Sequence, residues 1–255
     1  MSLAIVTGAS GGIGAATAVA LAEAGLEVLA IGRRRDALEQ LAARHPSIRP
    51  LMADVTERLG QDAIATAAAG RSVRVLVHGA GVFPRGRIAN LSRDDWRSAM
   101  ATNLHARLEL VLALRQPLRG GRVLFIGSDA ATTPRAGGAA YSVSKAASAM
   151  LWRCLALELG DEIAFAMAKP GLVETEMMER SLLAPPDEFP ATEVYRAMRQ
   201  RGETIAATTV ATFFRFLLLD TEPVEYARDT WDIRDRIHHP RWLSGPLFAQ
   251  RTPDA

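Results

Sequence analysis

Cys154 is the only cysteine in the chain, so no disulfide can form within it, which fits a reducing cytoplasm. Net charge is close to zero, and the high isoelectric point reflects a few extra arginines without marking a basic patch. A nucleic-acid partner is therefore not expected. No apolar run is long enough to span a bilayer, and Met1 leads almost directly into a strand-like run, leaving no room for a signal peptide. There is no internal repeat and no low-complexity tract. His238 and His239 stand side by side without a Cys or Glu cluster, so they read as surface residues and no metal site is expected. Lysine is scarce. Lys145 and Lys169 are the only two, against a large excess of arginine, so a lysine here is not background.

What is present suits one α/β domain. A chain of 255 residues can bury a sizeable core without staples. Short apolar runs at 3–6, 27–31, 48–53, 73–77, 122–126, 163–168 and 230–234 read as about seven strands. Helical stretches at 13–24, 36–44, 61–69 and 208–219 alternate with them, and so do a helix opening at Ser92 and another holding Tyr141. Strand, turn, helix, strand is how a parallel sheet begins. The Ser92 helix should run past Asn103, and a mid-helix Asn indicates a kink or a polar role. Between 172 and 205 periodicity fades around Pro185, Pro186 and Pro190, so this segment is expected to be an irregular substrate lid. The tail over 235–255 has no place in the scheme.

The first turn, Thr7-Gly8-Ala9-Ser10-Gly11-Gly12-Ile13-Gly14, joins a strand to a helix. Amides at a helix N-terminus bind phosphate, and glycines let a pyrophosphate approach the backbone. The second strand ends in Gly32-Arg33-Arg34-Arg35 with no acid before Asp36. In a dinucleotide fold this end faces the adenosine ribose, where arginine suits a 2′-phosphate and an acid suits a free hydroxyl. Arg33 and Arg34 therefore favour NADP(H), with NAD(H) as the alternative; Arg35 only solvates the next helix. Asp54 either accepts from an adenine amino group or caps the turn before its helix. Gly79, Ala80 and Gly81 leave space at the fourth strand end for a flat ring. His78 reads as a packed residue.

Tyr141 and Lys145 are four apart, so a helix places them on one face, one turn from each other. An ammonium within a few ångströms moves a phenol's pKa by about 1–3 units toward the phenolate. That turns a side chain titrating near 10 into an acid or base. The helix that follows is apolar nearly all round from Ala146 to Leu159, which calls for a second burial partner, read here as a subunit interface.

These motifs in this order resemble the short-chain dehydrogenase/reductase family in its short single-domain form, from Leu3 to about Met177 and more loosely to Arg234. The glycine turn resembles that family's TGxxxGxG, Asp54-Val55 its adenine-contacting pair, Tyr141-x-x-x-Lys145 its signature, and Pro170-Gly171-Leu172-Val173-x-Thr175 its PGxVxT segment beside the nicotinamide. Asn103 and Ser128 stand at that family's polar positions. The chain departs from the pattern at His78-Gly79-Ala80-Gly81, at Arg74 and after Leu219. The resemblance implies a doubly wound parallel sheet, the Rossmann fold, with helices on both faces. It implies hydride transfer between nicotinamide and a carbonyl or secondary-alcohol substrate, in a cytoplasmic homodimer or homotetramer. Tyr141 would be the proton donor or acceptor, Lys145 would tune it and hold the ribose, Ser128 would hold the substrate oxygen, and Asn103 would order a water linking Lys145 to solvent. A non-catalytic nucleotide-binding protein would be expected to have lost one of Ser128, Tyr141 and Lys145, and none is lost.

Overall fold

Apolar side chains on both faces of each central strand dictate a sheet covered on both sides. The computed structural model describes residues 2–227 and 229–248. The strands are β1 (Leu3–Thr7), β2 (Glu27–Gly32), β3 (Ile48–Met52), β4 (Val73–His78), β5 (Arg122–Ile126) and β6 (Ala164–Lys169). Two short pairing strands, β7 (Val173–Glu174) and β8 (Ile205–Ala206), precede the edge strand β9 (Trp231–Asp232). The seven-stranded sheet runs β3-β2-β1-β4-β5-β6-β9, parallel throughout.

Alternation sends Ala4, Val6, Val28, Ala30, Val75 and Val77 to one face, with α1 (Gly12–Glu23), α2 (Arg35–Ala42) and α9 (Ala207–Leu219). Leu3, Ile5, Leu29, Ile31, Val123 and Phe125 go to the other, with α3 (Arg58–Ala68), α5 (Ala106–Ala113) and α6 (Ala139–Leu159). The sheet is doubly wound. On the first face α1 offers small side chains such as Ala18 and Ala22, and α9 fills the space with Phe213, Phe214, Phe216 and Leu217, all buried. Each such side chain contributes about 1.5–3 kcal/mol of burial.

The chain winds outward from β1 through β2 to β3, then returns beside β1 at β4. That reversal opens a crevice at the carboxyl ends of β1 and β4, where open α/β sheets bind ligands. After β4 comes α4 (Arg93–Met100), whose N-cap Ser92 accepts from the Asp95 amide. It continues into α5 through a π turn, Ala101–His105, that turns Asn103 inward and buries it. The kink expected at this Asn is there.

Two expectations need correction. Segment 172–205 is not irregular: it holds α7 (Glu176–Leu182), α8 (Ala191–Gln200) and the β7–β8 pair. Pro185, Pro186 and Pro190 lie between these two short helices and break the pattern there, which hides the period that α8 carries. The tail is placed as far as 248, and His238 is a buried residue, not a surface one. Its Nε2 donates to the Asp232 carbonyl, the Trp242 indole donates to its Nδ1, and its ring stacks on Phe213 at 5.1 Å. Residues 249–255 of the expected tail lie outside the described residues. The α6 face expected at an interface carries exposed Val143, Met150 and Leu157, while Trp152 and Leu155 pack inward.

Gly60, at the start of α3, supports the β3 end: a Cβ there would lie 2.0 Å from the Asp54 carbonyl oxygen. Gly60→Ala is expected to destabilise the fold by about 1–3 kcal/mol. Thermal unfolding should record this as a Tm lowered by several degrees.

Candidate active site

The crevice is shaped by what the glycines leave out. Gly8 takes φ +69 and Gly12 φ +54. A Cβ on Gly14 would lie 2.4 Å from the Gly8 carbonyl, and one on Gly79 would lie 2.4 Å from the Thr7 carbonyl. The Thr7 hydroxyl bonds the two strand ends together, donating to Val77 O at 3.3 Å and accepting from the Ala80 amide at 3.1 Å. Behind this cradle α1 begins at Gly12, and its N-cap Gly11 offers no side-chain cap. The first-turn amides around Ile13 have no partner inside the helix. The Ser10 hydroxyl is buried with no hydrogen-bond partner. An orphaned donor over open amides at a helix N-terminus fits a diphosphate.

Around this turn stand the other expected nucleotide contacts. Arg34 reaches back to Ser10 O at 2.8 Å and pairs with Glu176 at 3.1 Å. Arg33 lies 3.5 Å from Asp54. Asp54 Oδ1 accepts from the Thr56 amide and hydroxyl, the turn-capping role, which leaves Oδ2 facing Arg33. Val55 is buried beside it. Across the turn, the Thr175 methyl would meet a Cβ on Gly12 at 3.1 Å. Pro170, Gly171 and Val173 line the same cavity, as do Gly79, Ala80 and Gly81. The cavity holds about 680 Å³ and runs from Arg33 to Tyr141, Met177 and Tyr195.

At its far end the polar residues converge. Ser128 closes β5, accepts from the Ala130 amide at 3.2 Å, and lines the same cavity as Tyr141. Lys145 is buried one helical turn after Tyr141. Its Nζ donates to Ile126 O at 2.9 Å and lies 5.5 Å from the Tyr141 ring centroid. Asn103 spends its amide on structure. Nδ2 donates to Val82 O and to Ser144 Oγ, both at 2.9 Å, and Oδ1 accepts from the Val82 amide at 3.0 Å. Ser144 in turn donates to Tyr141 O at 2.8 Å. Asn103 thus ties the π turn to the Tyr141 helix and to the loop after β4.

The electrostatics come from residues that the sequence reading passed over. Burial pushes the Tyr141 phenol above its ordinary range; the Ser128 hydrogen bond and the Arg107 and Arg85 charges oppose that. Burial and then Arg107 hold Lys145 well below the ordinary lysine range. Arg107 is itself buried and is lowered to about 10 by that burial. It donates to the same Ile126 carbonyl and to Ser148 Oγ, and its Nε has no partner. His78 packs on Phe125 at 4.7 Å, and burial together with Arg107 keeps it neutral. The sequence marks Arg107 only as an arginine one turn after Asn103, which by itself reads as solvated. Also unforeseen were Phe83, stacked on Tyr141 at 4.2 Å, and the network joining Lys169 and Arg234 to Asp129 and Asp232.

A doubly wound sheet with a diphosphate cradle at its switch point, and a phenol, a hydroxyl and an ammonium at the far end of one cavity, defines a dinucleotide-dependent oxidoreductase. The family model for short chain dehydrogenase matches residues 2–184. A 2,3-dihydro-2,3-dihydroxybenzoate dehydrogenase of Bacillus subtilis (strain 168) is 34% identical over 215 residues, covering 79% of this chain and 80% of that protein. The protein of that name from Escherichia coli (strain K12) is 34% identical over 178 residues, 68% of this chain and 69% of its own. Among solved structures, a Beutenbergia cavernae protein described as an NAD(P)-dependent gluconate 5-dehydrogenase, with NADP bound at low occupancy, superposes with a TM-score of 0.79. It is 27% identical and covers 91% of this chain and 94% of its own. The chain belongs to the short-chain dehydrogenase family and is an NAD(P)-dependent oxidoreductase. Among the described residues no helix is long and apolar enough to cross a membrane.

With only two lysines in the chain, Lys145 is directly observable by NMR in lysine-labelled protein. Arg107→Met removes the neighbouring charge while nearly conserving volume. The Lys145 midpoint is expected to rise toward the ordinary lysine range, and Tm to hold or rise, since a buried unpaired cation is costly. An unchanged midpoint would show that Arg107 does not act on Lys145.

Proposed function

We propose that this chain transfers hydride between NADP(H) and a carbonyl or secondary-alcohol substrate, with Tyr141 as general acid and base. The observation that carries the reading is that Ser128, Tyr141 and Lys145 line one continuous cavity with the glycine turn. The dehydrogenase names of the two bacterial relatives favour the same reaction class.

The cofactor supplies the hydride chemistry when bound. In reduction Tyr141 gives its proton to the carbonyl oxygen, and in oxidation it takes one from the alcohol. Ser128 holds that oxygen within reach and stabilises its developing charge. Lys145 spends one N–H on Ile126 O, which leaves two for a ribose hydroxyl. Arg107 and Arg85 favour the phenolate, while Lys145, itself held well below the ordinary lysine range, is not among the groups that lower the phenol. Asn103 has only the second lone pair of Oδ1 left for a relay water, so its larger part is to hold the Tyr141 helix in place. Segment 172–205 acts as the substrate lid. At the nucleotide end, Arg33 and Arg34 are exposed and flank the ribose position, which supports a 2′-phosphate and hence NADPH over NADH. One exposed cysteine suits the cytoplasm. The exposed apolar residues on α6, with Leu112 on α5, suit a homodimer or homotetramer, and light scattering on the purified chain gives the mass that decides it.

Turnover, pH dependence and cofactor binding test the reading. Tyr141→Phe should lower turnover of mixed ketones by about 10²–10⁴-fold, with the Kd for NADPH unchanged; full turnover would overturn the proton-transfer role. Since burial raises the phenol, reduction should persist into alkaline pH and oxidation should climb with pH. Ser128→Ala removes a bond that lowers the phenol, so its oxidation limb should shift further upward. For the cofactor, replacing Arg33 and Arg34 together by Ser should weaken NADPH by about 10–100-fold and leave NADH unchanged. Parent protein that bound NADH as tightly as NADPH would sink that preference.

A further inference from the structure

Beyond Tyr141 the cavity ends in a corner with aromatic walls and uncompensated positive charge. Phe83 stacks on Tyr141, meets Phe189 edge-on at 5.4 Å, and carries Arg85 over its ring at 4.6 Å. Tyr195 lies against Phe189 at 5.8 Å and carries Arg135 at 5.6 Å. Neither arginine has a carboxylate within ion-pair distance among the described residues. The nearby Asp129 is already engaged by Lys169 and Arg234.

The two guanidinium groups play different parts. Arg85 is half-buried and fixed. It donates to Phe83 O, Met177 O and Ser181 Oγ, all neutral acceptors, and burial lowers it to about 10. It is a charge held in place with no anion beside it. Arg135 makes no side-chain hydrogen bond among the described residues, so its planar fork is open to a bidentate partner. The backbone holds them in register. The Gly86 amide, next to Arg85, donates to Gly137 O at 3.0 Å, two residues beyond Arg135. Gly137, at φ +78, packs so closely on the lid that a Cβ would lie 2.2 Å from Glu188 O. A rigid mount under an unpaired arginine fork is what recognition of a ligand anion requires.

We propose that this corner binds a carboxylate on a planar cyclic substrate, with Arg135 as the bidentate contact, Arg85 as a fixed supporting charge, and the ring lying among Phe83, Tyr141 and Tyr195. This deepens the reading of Tyr141 as the proton-transfer residue and rests on it, because the anchored ring is what brings the reacting carbon to the phenol.

The test uses binding, so it does not depend on knowing the substrate. The full chain saturated with NADP⁺ is titrated calorimetrically with benzoate and with benzamide, its neutral isostere. Benzoate should bind at least about tenfold tighter, the worth of one charge-assisted pair. Arg135→Met should abolish that preference while leaving the Kd values for benzamide and NADP⁺ unchanged, and Arg135→Lys should restore part of it. Benzoate binding no tighter than benzamide, or a preference that survives in Arg135→Met, would overturn the proposal. The two readings fail separately. A Tyr141→Phe variant that has lost ketone turnover, in a chain with no benzoate preference, sinks the anion corner alone. A benzoate preference beside a fully active Tyr141→Phe sinks the proton-transfer role alone.

Discussion

The close approach of two strand ends governs this molecule. At the carboxyl ends of β1 and β4 the chain brings backbone against backbone: a Cβ on Gly79 would lie 2.4 Å from the Thr7 carbonyl oxygen, and one on Gly8 would lie 2.6 Å from the Gly79 carbonyl. The Thr7 hydroxyl then locks the two ends. Because the ends meet there, the first turn of α1 opens straight into the crevice, and its unpaired amides face the same space as the far-end polar groups. A single methyl at Gly14 or Gly79 would part the strands and fill the cradle. Phosphate binding and strand pairing therefore rest on the same few missing atoms.

The second constraint is electrostatic and costs stability. Lys145 and Arg107 are both buried, share the Ile126 carbonyl, and have no carboxylate among the described residues. Burying a cation without an anion costs several kcal/mol. Burial first, and the Arg107 charge second, are why Lys145 lies so far below its ordinary range. What the arrangement supplies is fixed positive charge beside the Tyr141 phenol, from Arg107 and Arg85. Burial alone makes Tyr141 a poorer acid; Ser128 and the arginines work against that. The balance between these opposing effects belongs to the whole cluster, and the Tyr141–Lys145 spacing carries only part of it.

Much of this was legible in sequence because it follows from local rules. The strands showed as apolar runs, the cradle as glycines between strand and helix, and the kink as an Asn in mid-helix. Tyr141 and Lys145 were found by their one-turn spacing. What escaped depends on remote partners. His238 looks like a surface residue until Phe213 stacks on it and Trp242 and the Asp232 carbonyl take up both ring nitrogens. Helices α7 and α8 are short and stand on either side of Pro185, Pro186 and Pro190, which mask them in sequence. Arg107 looks like a solvated arginine, and only the packing of α5 on the sheet buries it. For Arg107, and for His238 through Phe213, the deciding contact lies far away in the chain, where neither propensity nor period reaches.

Helix α7 joins the two ends of the cavity, and its two attachments are unequal. At the nucleotide end, Glu176 pairs with Arg34 and Arg180, all more than half exposed, and exposed pairs of this kind are worth about 0–1 kcal/mol each. At the substrate end, Arg85 donates to Met177 O and Ser181 Oγ from a half-buried position, and Thr192 reaches the Ser181 carbonyl from inside the core. Severing these would strand a guanidinium and backbone carbonyls away from water, which costs more than an exposed ion pair returns. Thr175, the N-cap of α7, rests against Gly12 without a hydrogen bond to the turn. The N-terminal end of α7 is therefore the end that yields. Parting Glu176 from Arg34 costs little, while the Arg85 corner keeps its shape. The cavity is thus rigid beside Tyr141 and Phe83 and yields beside the glycine turn.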